Sequence, residues 1–301
     1  VSIERVRSIV HSPANTSGGR HSQIGFSSNV TSPYSLEEHY RLERQLADRL
    51  RHATREERGA LYAALYDELF RRLPAHLQLT LKQDPNARAA DVASQMAVLR
   101  RFLTPRMTLL EIGAGDCALS IAAAPLVRKA IALDVSANIT EGATAPENFS
   151  LLLSDGRGIP LPGRSIDVAY SNQLMEHLHP EDARDQLRSI VDALAPGGIY
   201  LCITPNRLSG PHDVSRTFDD EATGFHLKEY TIGELARLFR EVGFSRVWAM
   251  VGARGRLVPF PVAPLGALEA TLDALPAAMR RAVARRTPAR QLLEIRLVGR
   301  K

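Results

Sequence analysis

Apolar residues are sparse and unpatterned over positions 1–33, among Ser, Asn, Gly and Thr in runs such as "HSPANTSGGRHSQ". That stretch reads as a flexible arm. From Leu36 to about Leu73 apolar residues recur at three- and four-residue steps, Leu42, Leu46, Leu50 and then Leu61, Leu65, Leu69, which lines one face of a helix. The run Thr54 to Glu57, "TREE", has the residues of a capping box, so two amphipathic helices are expected on either side of it. A third helix is expected over Asn86 to Leu103, after the Pro85 stop.

From Thr108 the pattern changes to short apolar runs. "TLLEIGA", "AIALDVS", "FSLLLSD", "SIDVAYSN" and "GIYLCITPN" are five strand candidates, with "EDARDQLRSIVDALAPGG" a helix before the last of them. Such alternation predicts an α/β fold, a mostly parallel sheet flanked by helices on both faces, behind an N-terminal helical extension over 34–105. The α/β domain covers 106–301. Within it, 206–230 is a long connection, 261–290 a basic helical segment, and "QLLEIRLVGR" a last strand returning to the sheet.

With 301 residues, 45% of them apolar and 24% charged, the chain can bury a full core. No apolar run approaches the roughly 20 residues of a membrane span, and no secretory signal pattern stands out. Cys117 and Cys202 fall inside apolar segments, which suits buried thiols in a reducing, cytoplasmic compartment. The formal net charge of +5 is unevenly placed: Arg280 to Lys301 carries seven Arg and one Lys against Glu294, so the remainder is slightly acidic. Leu265, Leu268, Leu272 and Leu275 add an apolar stripe just before it. Such a segment either packs on its own domain or meets an anionic membrane surface or acceptor.

Ligands of open parallel sheets bind beyond the carboxyl ends of the strands. There the first run ends Glu111, Ile112, Gly113, Ala114, Gly115, a turn that lets a ligand approach the backbone before a helix start. The second run ends at Asp134 and Val135, where an acid can accept from ribose hydroxyls. An adenosine-type cofactor is expected. A nicotinamide enzyme is the competing reading, since Gly113, Gly115 and Ala118 also satisfy G-x-G-x-x-A. Against it, Glu111 would repel a pyrophosphate but welcome an ammonium. Asp155 suits an adenine amino group, and none of the seven tyrosines has a lysine four residues on.

In order, "LLEIGAGDC", "ALDVS", "LLLSDGRGIPLPGRSIDVAYSNQLMEHL" and "ALAPGGIYLCITPN" resemble the class I S-adenosylmethionine-dependent methyltransferases over roughly Leu109 to Phe244. The resemblance implies a Rossmann-like domain and S-adenosylmethionine as cofactor, with S-adenosylhomocysteine as product. It places Gly113, Ala114 and Gly115 under the methionine part and Glu111 near its ammonium. Asp134 and Val135 fall at the ribose, Asp155 and Gly156 beside adenine, and Asn172 closes the methionine side. It also lays the 206–230 connection over the acceptor pocket.

A sulfonium methyl is already electrophilic, so in-line positioning and exclusion of water matter most, and a hydroxyl acceptor also needs a base. The candidates are His212, His226 and Asp213 in the connection and His177 in "MEHLHPED", each of which could instead serve only to anchor its loop. His177 and His179 form a His-x-His pair with no nearby cysteine or clear third ligand, so no metal is expected. The fourth run ends "SNQLM", not in the Asp/Asn-Pro-Pro-aromatic pattern of a nucleobase amino methyltransferase, and neither cysteine is placed for cytosine C5 chemistry. The acceptor is therefore expected to be a metabolite, sugar or lipid-linked glycan and not a nucleic acid, with O-methylation the leading reading. A non-catalytic S-adenosylmethionine-binding or interaction module is the third reading. The oligomeric state is left open.

Overall fold

Each of the first two helices starts on a reciprocal cap. Ser35 opens α1 (Leu36–His52) with Glu38, and Thr54 opens α2 (Arg55–Arg72) with Glu57, each hydroxyl accepting an N–H while the glutamate returns to the cap amide. Asp84 caps α3 (Pro85–Leu99), whose continuation to Phe102 is a tighter 3-10 turn and not the regular helix expected to Leu103. The computed structural model describes residues 35–74, 84–135, 145–253 and 256–301. The arm expected over 1–33 lies outside the described residues.

Eight strands follow in one sheet: β1 (Thr108–Ile112), β2 (Lys129–Asp134), β3 (Phe149–Leu153), β4 (Ile166–Asn172), β5 (Leu194–Thr204), β6 (Arg246–Ala253), β7 (Arg256–Pro261) and β8 (Ile295–Arg300). Their spatial order is β3-β2-β1-β4-β5-β8-β6-β7. The first five are parallel; β8 inserts antiparallel between β5 and β6, and β7 hairpins back along β6. The order therefore reverses between β1 and β4, and the carboxyl ends of β1, β2 and β4 open on a cleft there.

All of β1 is buried, and its alternating side chains enter different cores. Leu110 and Ile112 join Ile131 and Leu133 in a core shared with Leu46, Leu50, Leu65 and Leu69 of α1 and α2, with α5 (Pro180–Ala193) and with α6 (Ile232–Val242). Leu109 joins Ala130, Val168, Tyr170 and Leu201 on the opposite face, against Leu99 of α3 and Leu119 of α4 (Ala118–Ala123). Helices α1 and α2 thus cover the same face of the sheet as α5 and α6, and α3 covers the other.

Two expectations change. The helix expected over 181–198 ends at Ala193, because residues 194–198 already belong to β5: Leu194 pairs with Ile166 of β4. The β6–β7 hairpin had no counterpart among the sequence candidates. The closing strand is β8, but Gln291 to Leu293 of "QLLEIRLVGR" belong to the short helix α9 (Ala289–Leu293). Leu265 and Leu272 of α7 (Val262–Asp273) are buried, and Leu268, Leu272 and Leu275 pack with Leu208, Leu293 and Ala284 of α8 (Ala277–Ala284). The leucine stripe is therefore spent on the domain's own core, while Arg285 and Arg286 stay exposed. Cys117 and Cys202 are buried thiols without a disulfide. Among the described residues no helix is long and apolar enough to cross a membrane.

Candidate active site

After β1 the chain turns through Gly113 and Gly115, at φ 71° and 54°. A Cβ on Gly113 would stand 3.1 Å from the Leu174 side chain, which would have to give way, and the positive φ itself favours glycine. Gly113 and Ala114 donate to Leu133 O at 2.8 and 3.2 Å. Gly115 N–H and Val135 N–H each donate to Asp134, one to either carboxylate oxygen, at 2.7 Å. A carboxylate offers about four lone-pair sites, so two amides do not exhaust it as an acceptor for a ribose diol.

Gly156, at φ 80°, faces Val135 and Tyr62, where an added Cβ would come within 3.2 and 3.3 Å. The positive φ at Gly156 and the close approach of Val135 and Tyr62 both favour glycine there. Asp155 is placed differently from an open acceptor: Arg157 donates its N–H to one oxygen at 3.0 Å and closes on the other with Nε and Nη2 at 3.0 and 2.7 Å. Burial raises the Asp155 carboxyl, but these bonds outweigh it and hold the group below the usual carboxylate range. Asn172 ends β4 at the same edge of the sheet.

Glu111 lies beneath this turn, buried, accepting from Ser120 N–H at 2.9 Å and from the Ser120 hydroxyl. Burial pushes its carboxyl up to about 8, the Ser120 bonds offset part of this, and the charges of Asp116 and Asp134 add to the rise. A carboxyl raised in the folded state favours folding while protonated, and that contribution is lost as pH climbs from the ordinary value toward 8. Glu111→Gln keeps an acceptor for Ser120 without the buried charge. The variant is expected to melt above the parent at pH 8.5, by the equivalent of a few kcal/mol, and level with it at pH 5. Thermal melts at the two pH values check this.

Tyr62 and Tyr66 lie on helix α2. Tyr62 stands beside Gly156, and one turn on Tyr66 packs edge-on to Phe225 at 4.9 Å and to His177 at 6.0 Å between ring centroids. Burial raises the Tyr66 hydroxyl, and the negative fields of Glu176 and Asp134 act in the same direction. The helix is anchored by Arg58, whose Nε and Nη2 reach both oxygens of the fully buried Asp182 at 2.6 and 3.0 Å. Tyr62 OH donates to the same carboxylate at 2.9 Å.

Beyond Asn172 a 3-10 turn, Met175–His177, folds under the 206–230 connection. Leu227 and Lys228 donate to Glu176 O at 2.7 and 3.1 Å, which draws His226 toward His177; their rings meet edge-to-face at 4.8 Å. His177 Nδ1 donates to Phe225 O at 3.0 Å, and His226 Nδ1 to Glu229 Oε1 at 2.7 Å. Glu176 is fully buried: one oxygen accepts from Thr204 Oγ1 at 2.7 Å, and the other, Oε1, has no hydrogen-bond partner. Burial raises Glu176 to about 7 against the opposing pull of His226. For His226 burial disfavours the charge, but the hydrogen bond to Glu229 and the charges of Glu229, Glu176 and Asp213 prevail and raise it to about 9.

His212 and Asp213 hold the connection in shape. His212 Nε2 donates to Asn206 O at 3.1 Å and its amide to Glu229 at 2.7 Å, while Asp213 caps the next turn through Ser215 N–H at 3.0 Å and receives His226 N–H at 3.4 Å. His179 caps α5 instead of joining His177. The structure thus gathers His177 and His226 at one point and gives His212 and Asp213 supporting positions around them. Glu176 and Glu229, missed in the sequence, complete the group. Their only advance signal was position, Glu176 next to His177 and Glu229 three residues after His226.

A family model described as a methyltransferase domain matches residues 62–248. A probable S-adenosylmethionine-dependent methyltransferase of Mycolicibacterium smegmatis is 29% identical over 138 residues, 46% of this chain and 51% of the relative. One from Mycobacterium tuberculosis is 29% identical over 159 residues, covering 52% and 56%. The chain spans about half the length of these curated relatives. The solved structure of a methyltransferase from Archaeoglobus fulgidus is 14% identical, with a TM-score of 0.47 over 71% of this chain and 94% of that one. With the family model covering more than half of the sequence, the chain belongs to the methyltransferase-domain family, the class I S-adenosylmethionine-dependent methyltransferases.

Proposed function

We propose that the protein transfers a methyl group from S-adenosylmethionine to a hydroxyl of a metabolite, sugar or lipid-linked glycan. The observation that carries this reading is the buried Glu176, His177 and His226 group beneath the 206–230 connection, one side chain away from the Gly113 turn through Leu174. Bound S-adenosylmethionine supplies a sulfonium methyl; as the new C–O bond forms, the C–S pair stays on sulfur and S-adenosylhomocysteine is left. The chain's own part is to place and deprotonate the acceptor. Tyr62, Tyr66 and Phe225 wall the passage and exclude water, and the histidine–carboxylate group receives the hydroxyl proton, which an amine acceptor would need far less. Exposed Arg285 and Arg286 suit an acceptor or surface that carries negative charge.

Radiolabelled methyl transfer to hydroxyl compounds and to their matched amine analogues tests the reading. Transfer to hydroxyls supports it, and transfer to amines alone overturns it. For the cofactor end, Asp134→Ala is expected to weaken S-adenosylhomocysteine about 100-fold or more by calorimetry, because two charge-assisted hydrogen bonds at roughly 1.5–3 kcal/mol each are lost. Affinity within about threefold of the parent would take the ribose away from Asp134.

A further inference from the structure

We propose that Glu176, His177 and His226 form a binding site for a divalent first-row transition ion, with a vacant coordination position toward the acceptor. Each residue offers one donor atom, and the three atoms lie within 4.8 Å of one another. In a triangle of that size the centre is at most about 2.8 Å from each atom, about 0.7 Å beyond a zinc–nitrogen bond, a gap that small side-chain rotations close. Two imidazoles and one carboxylate form the donor set of open divalent sites.

Two further observations point to a ligand. Both imidazoles have Nδ1 directed at an acceptor that cannot donate, the Phe225 carbonyl and the Glu229 carboxylate, so Nε2 is the nitrogen each ring would offer to a cation, which would displace any proton held there. Anchoring of the second ring nitrogen by a carbonyl or carboxylate is how metal-ligating histidines are oriented. Independently, Glu176 Oε1 is buried in this group with no hydrogen-bond partner, while its twin oxygen is held by Thr204. An orphan carboxylate oxygen in a dry site is costly unless a cation or donor meets it. The sequence offered His177 with His179 and no third ligand; the fold turns His179 away and supplies Glu176 and His226 instead.

The role assigned to the ion, holding the acceptor oxygen and lowering the pKa of its proton, rests on the hydroxyl reading above; the site itself does not. The test is therefore metal binding, read apart from activity. The full chain, stripped with chelator, is titrated with Co²⁺ alone while d–d absorption is followed, and then with Zn²⁺ as competitor. Saturable bands at one ion per chain, displaced by Zn²⁺ and lost in both Glu176→Gln and His226→Ala, are expected. Both variants should still bind S-adenosylhomocysteine at the separate β1–β2 cleft, which shows that they fold. Absence of saturable bands in the parent, or equal bands in folded variants, would overturn the site. Loss of methyl transfer to hydroxyls with the bands intact would instead overturn the acceptor reading.

Discussion

His226→Ala is expected to lower kcat for a hydroxyl acceptor by about 10²–10⁴-fold while S-adenosylhomocysteine affinity stays within about twofold. The residue is buried, 2.7 Å from Glu229, and its ring meets that of His177 edge-to-face. On the proposed reading its loss removes the imidazole that meets the acceptor, whether that nitrogen takes the proton itself or holds the inferred ion. Glu229→Gln keeps a hydrogen-bonding partner for His226 but not its charge, so a smaller fall in kcat is expected. Single-turnover methyl transfer beside calorimetry checks both. Unchanged kcat at saturating acceptor would remove His226 from the reaction and leave it the loop anchor that its hydrogen bonds also permit.

The second large effect is on stability. Arg58→Ala is expected to cost about 3–5 kcal/mol, because it leaves the Asp182 carboxylate charged and fully buried with only the Tyr62 hydroxyl among its named partners. For a domain of this size that is a fall in melting temperature on the order of 10 °C. Arg58→Met combined with Asp182→Leu should recover much of it, since well-packed apolar residues often match a buried ion pair. Cofactor affinity is expected to fall with the single change too, because Arg58 and Tyr62 meet at Asp182 and Tyr62 packs against Gly156, beside the expected adenine position. Thermal melts and calorimetry on the single and double variants check this. A loss below about 1 kcal/mol would mean that the helix is held by its leucines alone.

Local chemistry determined much of this in the sequence. The capping residues of α2, the leucine spacing of the first two helices, and the glycine turn between an apolar run and a helix start are all short-range signals. They act over three to five residues and leave the same mark in any fold. The run of Gly113, Asp134 and Gly156 was legible for the same reason: each ends a strand whose own apolar pattern marks it. The end of α5 was read too late: Pro196, Gly197 and Gly198 already break a helix, and Leu194 pairs with Ile166 of β4 before regular pairing resumes at Ile199. The β6–β7 hairpin likewise depends on the β8 edge beside it.

What tertiary structure decided is which polar side chains meet. Arg58 and Asp182, or Glu176 and His226, are far apart in the chain, and no periodicity links them; each pair exists because burying the apolar faces of α1, α2 and the 206–230 connection brings their polar residues together out of water. Desolvation then forces those groups into partnerships, since an unpaired buried charge costs more than the fold can spare. The sequence therefore determined the glycine turn after β1 and the acidic end of β2, whose residues are neighbours along the strands, and tertiary packing alone assembled the Glu176, His177 and His226 group.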